Sequence, residues 1–565
     1  MTALLTDNLP LLTDAPNGIK KLRELILELA VRGKLVPQDP SDEPASELLK
    51  HIAEEKARLV AESKIKKSKA LAKITEEEIP FFIPTHWEWV RLDSLLKKIG
   101  AGSTPLGGKQ AYVTGGVKFL RSQNVWNEGL RLNDVAFIPE ETHKKMSGTH
   151  VEAGDLLFNI TGASIGRCAA VPSDFDTGNV SQHVTIIRPV SIEIQPFLHI
   201  VLVSQLVQQT VMDMQVGVSR EGLSIGKLSQ FLIPFPPEAE QHRIVAKVDE
   251  LMALCDRLEA QQTDAESAHA RLVQALFDSL TQASDATDFI ANWQRLAEHF
   301  HTLLTTEPSI DALKQTLLQL AVMGKLVPQA PSDESADKLL KRISDHRSTY
   351  REKKQKSLAD ISEVEKPFKL PYQWAWTTLP AIGELARGKS RHRPRNDPSL
   401  YAGGNVPLIQ TGDVARANGI VKTHSAMYNA KGVEQSRLWP AGTMCITIAA
   451  NIADSATLGF DACFPDSVVG FIPEFPELDV RYFEFFLRTA KSHLEDFAPS
   501  TAQKNINLEI LGLLSVPLPP ANEIRRIVAK VDQLMALCDQ LKTRLNQARQ
   551  LNEQLASTLV EQAVA

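Results

Sequence analysis

One long amphipathic segment occurs twice in this chain, and this duplication constrains the fold more than any other feature. Residues 243–249 read Arg-Ile-Val-Ala-Lys-Val-Asp, and residues 526–532 repeat them letter for letter. Apolar residues in both copies recur in alternating steps of four and three, the a/d pattern of helices that wind around each other. Each copy follows a Pro-Pro pair, which ends a strand and favours a helix start. The pattern predicts two long helices that can pair within one chain.

The predicted helix pair is a spacer with a fixed register. A seam held for about five heptads in roughly 40 residues would make a rod about 60 Å long. Gln262, His269 and Asn552 interrupt the apolar seam, and such interruptions lower stability but fix register. A generic dimerisation coiled coil is the alternative interpretation. The central positions of the predicted seam are Val248, Leu251, Cys255, Leu258, Val531, Leu534, Cys538 and Leu541.

Size and composition indicate an ordinary protein of several domains. The 565 residues are too many for a single hydrophobic core. The net charge of −6 argues against indiscriminate coating of nucleic acid but leaves room for local basic surfaces. The five cysteines show no metal-ligand spacing, so we expect small buried apolar residues in a reducing cytoplasm. We expect neither a signal peptide nor a membrane span, because no apolar run is long enough.

The duplication extends to the rest of the chain. Residues 29–38 match residues 320–329, and residues 84–92, which begin a block with Trp87 and Trp89, match residues 371–379. Each copy therefore has the order helical hairpin, β-rich block, long helix. Self-similarity over so long a period indicates two large copies rather than a solenoid.

Each β-rich block contains short runs of β-branched and apolar residues between Gly, Asn and Asp turns. We predict strands at residues 117–121, 155–160 and 183–187 in the first block, and at residues 406–410, 443–448 and 468–472 in the second. The polar residues after the first of these strands differ, because residues 122–125 read Ser-Gln-Asn-Val where residues 411–414 read Thr-Gly-Asp-Val. Similar scaffolds with different polar residues suit two modules that recognise two different targets.

This arrangement resembles the specificity subunit of type I restriction-modification enzymes over nearly the whole chain. The shared features are the duplicated order, Trp-x-Trp at the start of each block, and Pro-Pro followed by Arg-Ile-Val-Ala-Lys-Val-Asp at its end. Residues 154–166, Gly-Asp-Leu-Leu-Phe-Asn-Ile-Thr-Gly-Ala-Ser-Ile-Gly, are similar to the commonest internal sequence of such target-recognition domains. Residues 442–451 of the second block depart from it, because they lack the acidic residue and the later glycines.

The resemblance implies an α+β fold in which two globular β-rich target-recognition domains are separated by a pair of long antiparallel coiled-coil helices, with a pseudo-twofold internal repeat. The domains it implies are residues 1–83 as an N-terminal helical region, 84–237 as the first target-recognition domain, 238–282 as the central long spacer helix, 283–370 as a linker and second helical hairpin, 371–520 as the second target-recognition domain, and 521–565 as the C-terminal long spacer helix.

The resemblance also implies a function. The chain would be a sequence-specific DNA-binding specificity subunit that recognises a bipartite target, each block reading one half. Its partners would be double-stranded DNA, two methyltransferase (modification) subunits and restriction motor-nuclease subunits, whose methylation and restriction it directs. S-adenosylmethionine, ATP and Mg would belong to those partner subunits. The alternative function is a non-catalytic coiled-coil adaptor that presents two β-rich protein-binding domains.

Candidate DNA-binding residues follow from the chemistry of base edges, which Arg, Asn and Gln reach, and of phosphates, which Lys, Arg, Ser and Thr hold. In the first block they are Thr104, Lys109, Arg121, Gln123, Asn124, Lys144, Lys145, Asn159, Thr161, Asn179, Gln182 and Arg220. In the second block they are Arg387, Lys389, Arg391, Arg393, Arg395, Gln410, Thr411, Arg416, Asn451, Gln503, Lys504 and Asn505. An ordinary surface polar group is the alternative for each of them. Residues 387–395 favour DNA as a group, because five cations in nine residues repel unless an anion meets them.

Motifs that would carry catalysis are missing from the sequence. Neither Pro-Pro pair fits the Asn/Asp-Pro-Pro-Tyr/Phe turn of adenine methyltransferases, and the histidines show no paired-ligand spacing. Residues 102–109 hint at a phosphate loop, but Gln110 stands where a Ser or Thr would hold magnesium. We therefore predict no catalytic residue and no metal site.

Overall fold

The computed structural model describes residues 9–66, 71–216, 222–350, 366–449, 452–496 and 506–564, and the chain divides into two units. Unit 1 comprises Met1–Ala265 and Ala548–Ala565, and unit 2 comprises Glu266–Gln547. Among the described helices, none is long and apolar enough to cross a membrane.

The described helices of unit 1 are α1 (Leu9–Asp14), α2 (Gly18–Val31), α3 (Ala45–Ala61), α4 (Glu140–Lys145), α5 (Gln195–Val203), α6 (Gln205–Val216), α7 (Ile225–Leu228), the first part of α8 (Glu238–Thr281) and the last part of α18 (Ala521–Val564). Its described strands are β1 (Glu88–Arg91), β2 (Leu96–Ala101), β3 (Val117–Leu120), β4 (Val125–Trp126), β5 (Gly129–Leu130), β6 (Ala136–Ile138), β7 (His150–Val151), β8 (Leu156–Asn159), β9 (Cys168–Ala170), β10 (Gly178–Val180), β11 (Val184–Pro189) and β12 (Leu232–Phe235).

Small sheets build the β-rich block of unit 1. Two four-stranded sheets have the orders β6-β3-β10-β7 and β2-β11-β8-β9, and only the β3–β10 pair in them is parallel. The first and last strands of the block, β1 and β12, pair with each other antiparallel and so bring the two ends of the block together. Strands β4 and β5 form a separate hairpin.

Unit 2 contains the last part of α8, followed by α9 (Ala286–Glu298), α10 (Phe300–Leu303), α11 (Glu307–Val322), α12 (Ala336–Tyr350), α13 (Leu379–Ile382), α14 (Thr411–Arg416), α15 (Ala430–Glu434), α16 (Val480–Asp496), α17 (Leu508–Leu513) and the first part of α18 (Ala521–Val564). Its described strands are β13 (Ala375–Thr377), β14 (Gly383–Arg387), β15 (Val406–Leu408), β16 (Ile420–Val421), β17 (Ala426–Tyr428), β18 (Leu438–Trp439), β19 (Met444–Thr447), β20 (Ser455–Leu458), β21 (Ala462–Cys463), β22 (Val468–Pro473) and β23 (Val516–Leu518).

The β-rich block of unit 2 repeats the strand order of unit 1. Its sheets run β17-β15-β21-β18 and β14-β22-β19-β20, its end strands β13 and β23 pair, and β15 lies parallel to β21 as β3 does to β10. The one addition in the described part of this block is β16, which extends the second sheet parallel to β20. All six predicted strands are present, as β3, β8, β11, β15, β19 and β22.

The helical hairpin of each copy ends its first helix at a glycine in the left-handed region. Gly33 has φ +67°, and an added Cβ would lie 2.5 Å from Pro84 Cγ. Gly324 has φ +70°, and an added Cβ would lie 2.4 Å from Pro371 Cγ. Only glycine avoids both the backbone strain and the clash, so this residue lets the start of the block pack against the helix end.

The segments that repeat most closely in the sequence meet in the structure. Arg243 near the start of α8 forms an ion pair with Asp42 at 2.6 Å, and Arg526 near the start of α18 forms the same pair with Asp333 at 2.7 Å. The repeated Arg-Ile-Val-Ala-Lys-Val-Asp sequence therefore holds the long helix against the hairpin loop of its own copy.

The eight central seam residues lie in apolar cores with neighbouring helices of their own unit. In unit 1, Val248, Leu251 and Cys255 share a core with α2 and with Ala556 and Ala563 of α18. In unit 2, Cys538 shares a core with α11 and with the last part of α8, while Leu534 and Leu541 are half-buried against it. Leu258 is half-buried in unit 1, and Val531 is buried in unit 2.

The prediction that the apolar seam continues through five heptads is wrong. Gln262 and Asn552 are exposed, and residues 259–268 of α8 carry no buried side chain. Beyond that stretch the buried residues are Val273, Phe277 and Leu280. Alternating steps of three and four from Val248 would place the seam at Leu272 and Leu276, one position before the first two of them. A straight helix of 3.6 residues per turn drifts by about 20° per heptad, which moves the buried stripe by one position over such a length.

Candidate nucleic-acid interface

The first block gathers polar side chains where β3 and β8 end. The backbone N–H of Arg121 donates to Asn124 Oδ1 at 2.9 Å, which closes a turn directly after β3. Asn159, the last residue of β8, donates from Nδ2 to Ser122 O at 2.9 Å and to Ser164 Oγ at 3.1 Å. These bonds hold the two strand ends together. We call the surface formed by residues 121–134 and 159–167 the first strand-end surface.

Three asparagines of the candidate set serve the interior of the first block. Asn124 is buried and donates to Arg131 O, and Asn159 is fully buried. Asn179 is fully buried, donates from Nδ2 to Thr149 Oγ1 at 2.8 Å and accepts at Oδ1 from His143 Nδ1 at 2.6 Å. An amide buried in this way cannot reach a base edge, so Asn124, Asn159 and Asn179 are corrected from contact residues to structural residues.

The other described candidates of the first block are exposed or half-buried. Gln123 donates to Asp134 Oδ2 at 2.7 Å, and Arg121 donates to the Asp134 carbonyl at 2.9 Å. Thr104 Oγ1 donates to Gln182 Oε1. Thr161 Oγ1 forms a hydrogen bond with Nδ1 of His183, the residue that follows Gln182. The exposed members are Thr104, Lys109, Gln123, Lys144, Lys145 and Gln182, and the half-buried members are Arg121 and Thr161.

Sequence reasoning missed a cation–aromatic group on the first strand-end surface. The guanidinium carbon of Arg131 lies 3.5 Å from the ring centroid of Trp126, and that of Arg167 lies 3.7 Å from the same centroid. Trp126 ends β4 and Arg131 directly follows β5, so the two residues flank a short hairpin. This spacing is a local signal from which their stacking could have been predicted. Arg167 gave no such signal, because only the packing of the loop after β8 brings it to Trp126.

The second block builds the same strand-end turn from different residues. The backbone N–H of Gln410 donates to Asp413 Oδ2 at 2.9 Å, directly after β15. Asp413 also accepts from Arg416 Nη2 at 2.8 Å and from Ser425 Oγ at 2.9 Å. Gln410 and Arg416 are exposed and Thr411 is half-buried, so these three candidates lie on what we call the second strand-end surface, residues 410–416.

The basic loop of residues 387–395 is partly neutralised from within the block. Arg395 forms an ion pair with Asp466 at 2.8 Å, and Arg387 donates to the Asp466 carbonyl at 3.0 Å. Arg393 donates to the carbonyls of Ser390 and of residue 392. These internal partners offset part of the repulsion among the five cations, so the loop needs an external anion less than its charge alone would indicate.

Lys389 and Arg391 are the cations of this loop that remain available. Both are exposed, and within the described residues no carboxylate is paired with either side chain. His392 bonds Asp397 at 2.7 Å, and hydrogen bonds from Ser399, together with that histidine, lower the pKa of Asp397 to about 2. The histidine and carboxylate stabilise the loop and leave the two cations pointing to solvent. Candidates Arg220, Asn451, Gln503, Lys504 and Asn505 lie outside the described residues.

Residue types that ligate metals are dispersed among the described side chains. Among them, no group of three or more His, Cys, Asp or Glu could hold a metal ion. The glycine-rich segment after β2 leads into a four-residue 3-10 turn, Gly108–Ala111, rather than an α-helix that could cradle phosphates. All five cysteines are free and buried, and burial raises the pKa of the Cys255 and Cys538 thiols.

Comparison with known proteins gives a consistent result along the whole chain. The family model described as type I restriction modification DNA specificity domain matches residues 84–266 and again residues 374–550. The type I restriction enzyme EcoEI specificity subunit of Escherichia coli is 34% identical over 578 residues, covering 97% of this chain and 94% of that relative. The EcoAI specificity subunit of the same organism is 34% identical over 590 residues, with the same coverage.

Solved structures also align. The HsdS subunit from Thermoanaerobacter tengcongensis is 18% identical, with 86% of this chain and 98% of that chain covered at a TM-score of 0.41. A structure described for complex assembly and conformational transition of the type I R-M system is 17% identical, with 86% and 99% covered at a TM-score of 0.46.

Proposed function

The chain belongs to the family of type I restriction-modification DNA specificity subunits, and from this premise we propose that each of its two β-rich blocks reads one half of a bipartite DNA target. As a specificity subunit it supplies the choice of DNA target to a restriction-modification complex and is not itself a catalyst.

One observation carries the proposal: the two blocks share a strand order and a strand-end turn, yet present different side chains there. Asn124 closes the turn in the first block and Asp413 in the second, each by accepting from the backbone three residues earlier. Beside that turn the first block exposes Gln123, whereas the second exposes Gln410 and Arg416. A shared scaffold with different donors and acceptors suits the reading of two different base sequences.

We propose that α8 and α18 form the antiparallel coiled-coil spacer between the half-targets. Each helix is 44 residues long, and each begins in one unit and ends in the other. A helix rises 1.5 Å per residue, so a long continuous helix can set a separation of several base pairs.

The partners complete the activity. We propose that two methyltransferase subunits bind this chain and that restriction motor-nuclease subunits join them on double-stranded DNA. We also propose that S-adenosylmethionine, ATP and Mg bind to those subunits, a proposal that rests on the sequence having no catalytic turn for methyl transfer and no complete phosphate loop. The cytoplasmic location inferred from the cysteines stays a prediction. The adaptor alternative is not favoured, since the matched family is named for DNA specificity.

Long-read methylation mapping in a host that carries this chain with its methyltransferase partner tests the proposal. The expected result is one methylated motif made of two short specific sequences separated by a fixed gap. Exchanging residues 410–416 for the corresponding residues of a relative should change one half of the motif and leave the other half and the gap intact. A continuous motif, or a change in both halves, would contradict the assignment of one half-target to each block.

A further inference from the structure

Trp126 holds an arginine against each face of its ring. The guanidinium carbons of Arg131 and Arg167 lie 3.5 and 3.7 Å from the ring centroid, and two guanidiniums cannot both approach one face so closely. The two charges therefore lie on opposite faces, no more than about 7 Å apart. Like charges at that distance repel, and an anion bound beside them relieves the repulsion.

One hydrogen bond holds the Trp126 ring in place, and another holds the hairpin that carries it. Trp126 Nε1 donates to Gln123 O at 2.9 Å, which fixes the indole to the turn after β3. Asn127 Oδ1 accepts from the backbone N–H of Cys168 at 3.1 Å, which fixes the β4–β5 hairpin to β9. The arginines thus stack on an indole ring that these hydrogen bonds hold in place within the first strand-end surface.

Within the part of the chain that the structure describes, neither arginine has a carboxylate in hydrogen-bond contact. The nearest ion pair of Arg131 is with Glu128 at 4.0 Å, where the side chains are 59% and 76% exposed. For Arg167, the described residues provide no acidic partner. The guanidinium edges, which carry the N–H donors, are left for an acceptor from outside the chain.

The second block contains an arginine stacked on a tryptophan in a purely structural role, and it serves as a comparison. Arg437 lies 3.7 Å from the ring centroid of Trp439, a fully buried residue. Both of its terminal nitrogens donate to Glu384, at 2.6 and 2.9 Å. That guanidinium is saturated by a bidentate carboxylate, whereas the pair on Trp126 is not.

We propose that Arg131 and Arg167 are DNA-contacting residues of the first block and that Trp126 is the residue that positions them. This inference rests on the proposed function and deepens it by naming contacts that the sequence motifs did not reveal. The chemistry that fits is a planar pair of acceptors, which a guanine edge and a phosphate group both offer, and a guanidinium held in one orientation meets it with two hydrogen bonds.

Lysine substitution distinguishes a bidentate hydrogen bond, which needs a guanidinium, from an electrostatic attraction that any cation would provide. We would assemble the complex with its methyltransferase subunits and titrate a duplex bearing the mapped target and a duplex lacking it. The variant R131K/R167K keeps both charges but cannot make a bidentate contact, so its affinity for the target duplex should fall about tenfold or more. If affinity falls only on the target duplex, the acceptors are base edges; if it falls equally on both duplexes, they are phosphates.

Two further variants control for folding and positioning. Arg32→Lys changes another arginine stacked on an aromatic ring, Phe81, at 4.4 Å within unit 1, and it should bind both duplexes like the wild type. Trp126→Ala should lose affinity as the double variant does, while Trp126→Phe, which retains a ring, should restore most of it.

Unchanged affinity of R131K/R167K on both duplexes would overturn the inference while leaving the proposed function standing. A wild-type complex that binds neither duplex would instead refute the proposed function.

Discussion

Trp374 donates its indole N–H to Glu523 Oε2 at 3.0 Å in the interior of unit 2. The tryptophan stands just before the first strand of its block, and the glutamate lies in the first turn of the long helix that leaves the block. Unit 1 contains the same relationship, because Trp87 donates to Glu240 Oε2 at 2.9 Å. Each copy thus joins the start of its β-rich block to the start of its long helix, which gives the first tryptophan of the Trp-x-Trp motif a structural role.

The two buried glutamates differ in their second oxygen, and this difference predicts a pH effect. Glu240 Oε1 accepts from Gln38 Nε2 at 2.5 Å, whereas Glu523 Oε1 is buried with no hydrogen-bond partner among the described residues. Burial raises the pKa of Glu523 to about 7, against an ordinary value near 4.5. Between these pH values the folded state holds a proton that the unfolded state has released. The free energy of unfolding should therefore fall as pH rises from about 4.5 to about 7.

Glu523→Gln should reduce this pH dependence by the contribution of Glu523, because the amide accepts from Trp374 without titrating. Burial also raises the pKa of Glu484 to about 7, so that group keeps a pH dependence of its own in the variant. We expect the variant to resemble the wild type at pH 5 and to be more stable at pH 8 by about 1–3 kcal/mol. Denaturant unfolding of the full-length protein at both pH values measures it. Glu240→Gln is the matched control and should show a smaller difference, since Gln38 already satisfies Glu240. Equal pH dependence in wild type and Glu523→Gln would contradict the assignment.

Gly33 should resist substitution by alanine. Its φ of +67° and the Cβ contact with Pro84 at 2.5 Å both oppose a side chain, so Gly33→Ala should lower the free energy of unfolding by about 1–3 kcal/mol. Gly226 is the matched control, because it lies within α7 and no atom of the described residues lies within 4 Å of an added Cβ. Gly226→Ala should be neutral or slightly stabilising. If both variants unfold at the same denaturant concentration, the close approach of hairpin and block is not as described.

Reversing the two available cations of the basic loop should weaken DNA binding without changing the target. The variant K389E/R391E should bind all duplexes more weakly, and the slope of log affinity against log salt should become shallower by about one unit per lost phosphate contact. K338E/K341E on α12 makes the same change in net charge at two other exposed lysines and serves as control. Identical salt slopes for K389E/R391E and the wild type would show that this loop does not contact DNA.

A four-residue insertion after Gln262 should lengthen the gap in the DNA target. The insertion adds one helical turn, about 6 Å, within the exposed stretch of α8, where it displaces no buried side chain. DNA rises about 3.4 Å per base pair, so we expect the gap to grow by one to two pairs with unchanged half-target sequences. The same residues inserted after Ser284, between α8 and α9, should leave the gap unchanged. Methylation mapping that finds the original gap in the first variant would refute the spacer.

The candidate interface was only partly accessible to sequence reasoning. Residue type and a loop position sufficed to nominate Gln123, Gln410 and Arg391, which are exposed in the structure. The same reasoning nominated Asn159 and Asn179, which the fold buries and uses as internal hydrogen-bond donors. An asparagine beside a strand has the same local sequence whether its amide faces solvent or a neighbouring loop, because the other half of the hydrogen bond comes from a distant segment.

The sequence by itself determined the duplication, the six core strands, the two long helices and the family, because periodicity and repeated motifs are properties of neighbouring residues. Only the tertiary structure decided which polar groups remain available to DNA. Asp466 neutralises Arg395 from a distant segment, and Trp126 gathers Arg131 and Arg167 from different loops. The tertiary structure also decided where along α8 apolar residues are buried, since residues 259–268 carry no buried side chain whatever the heptad pattern of the sequence.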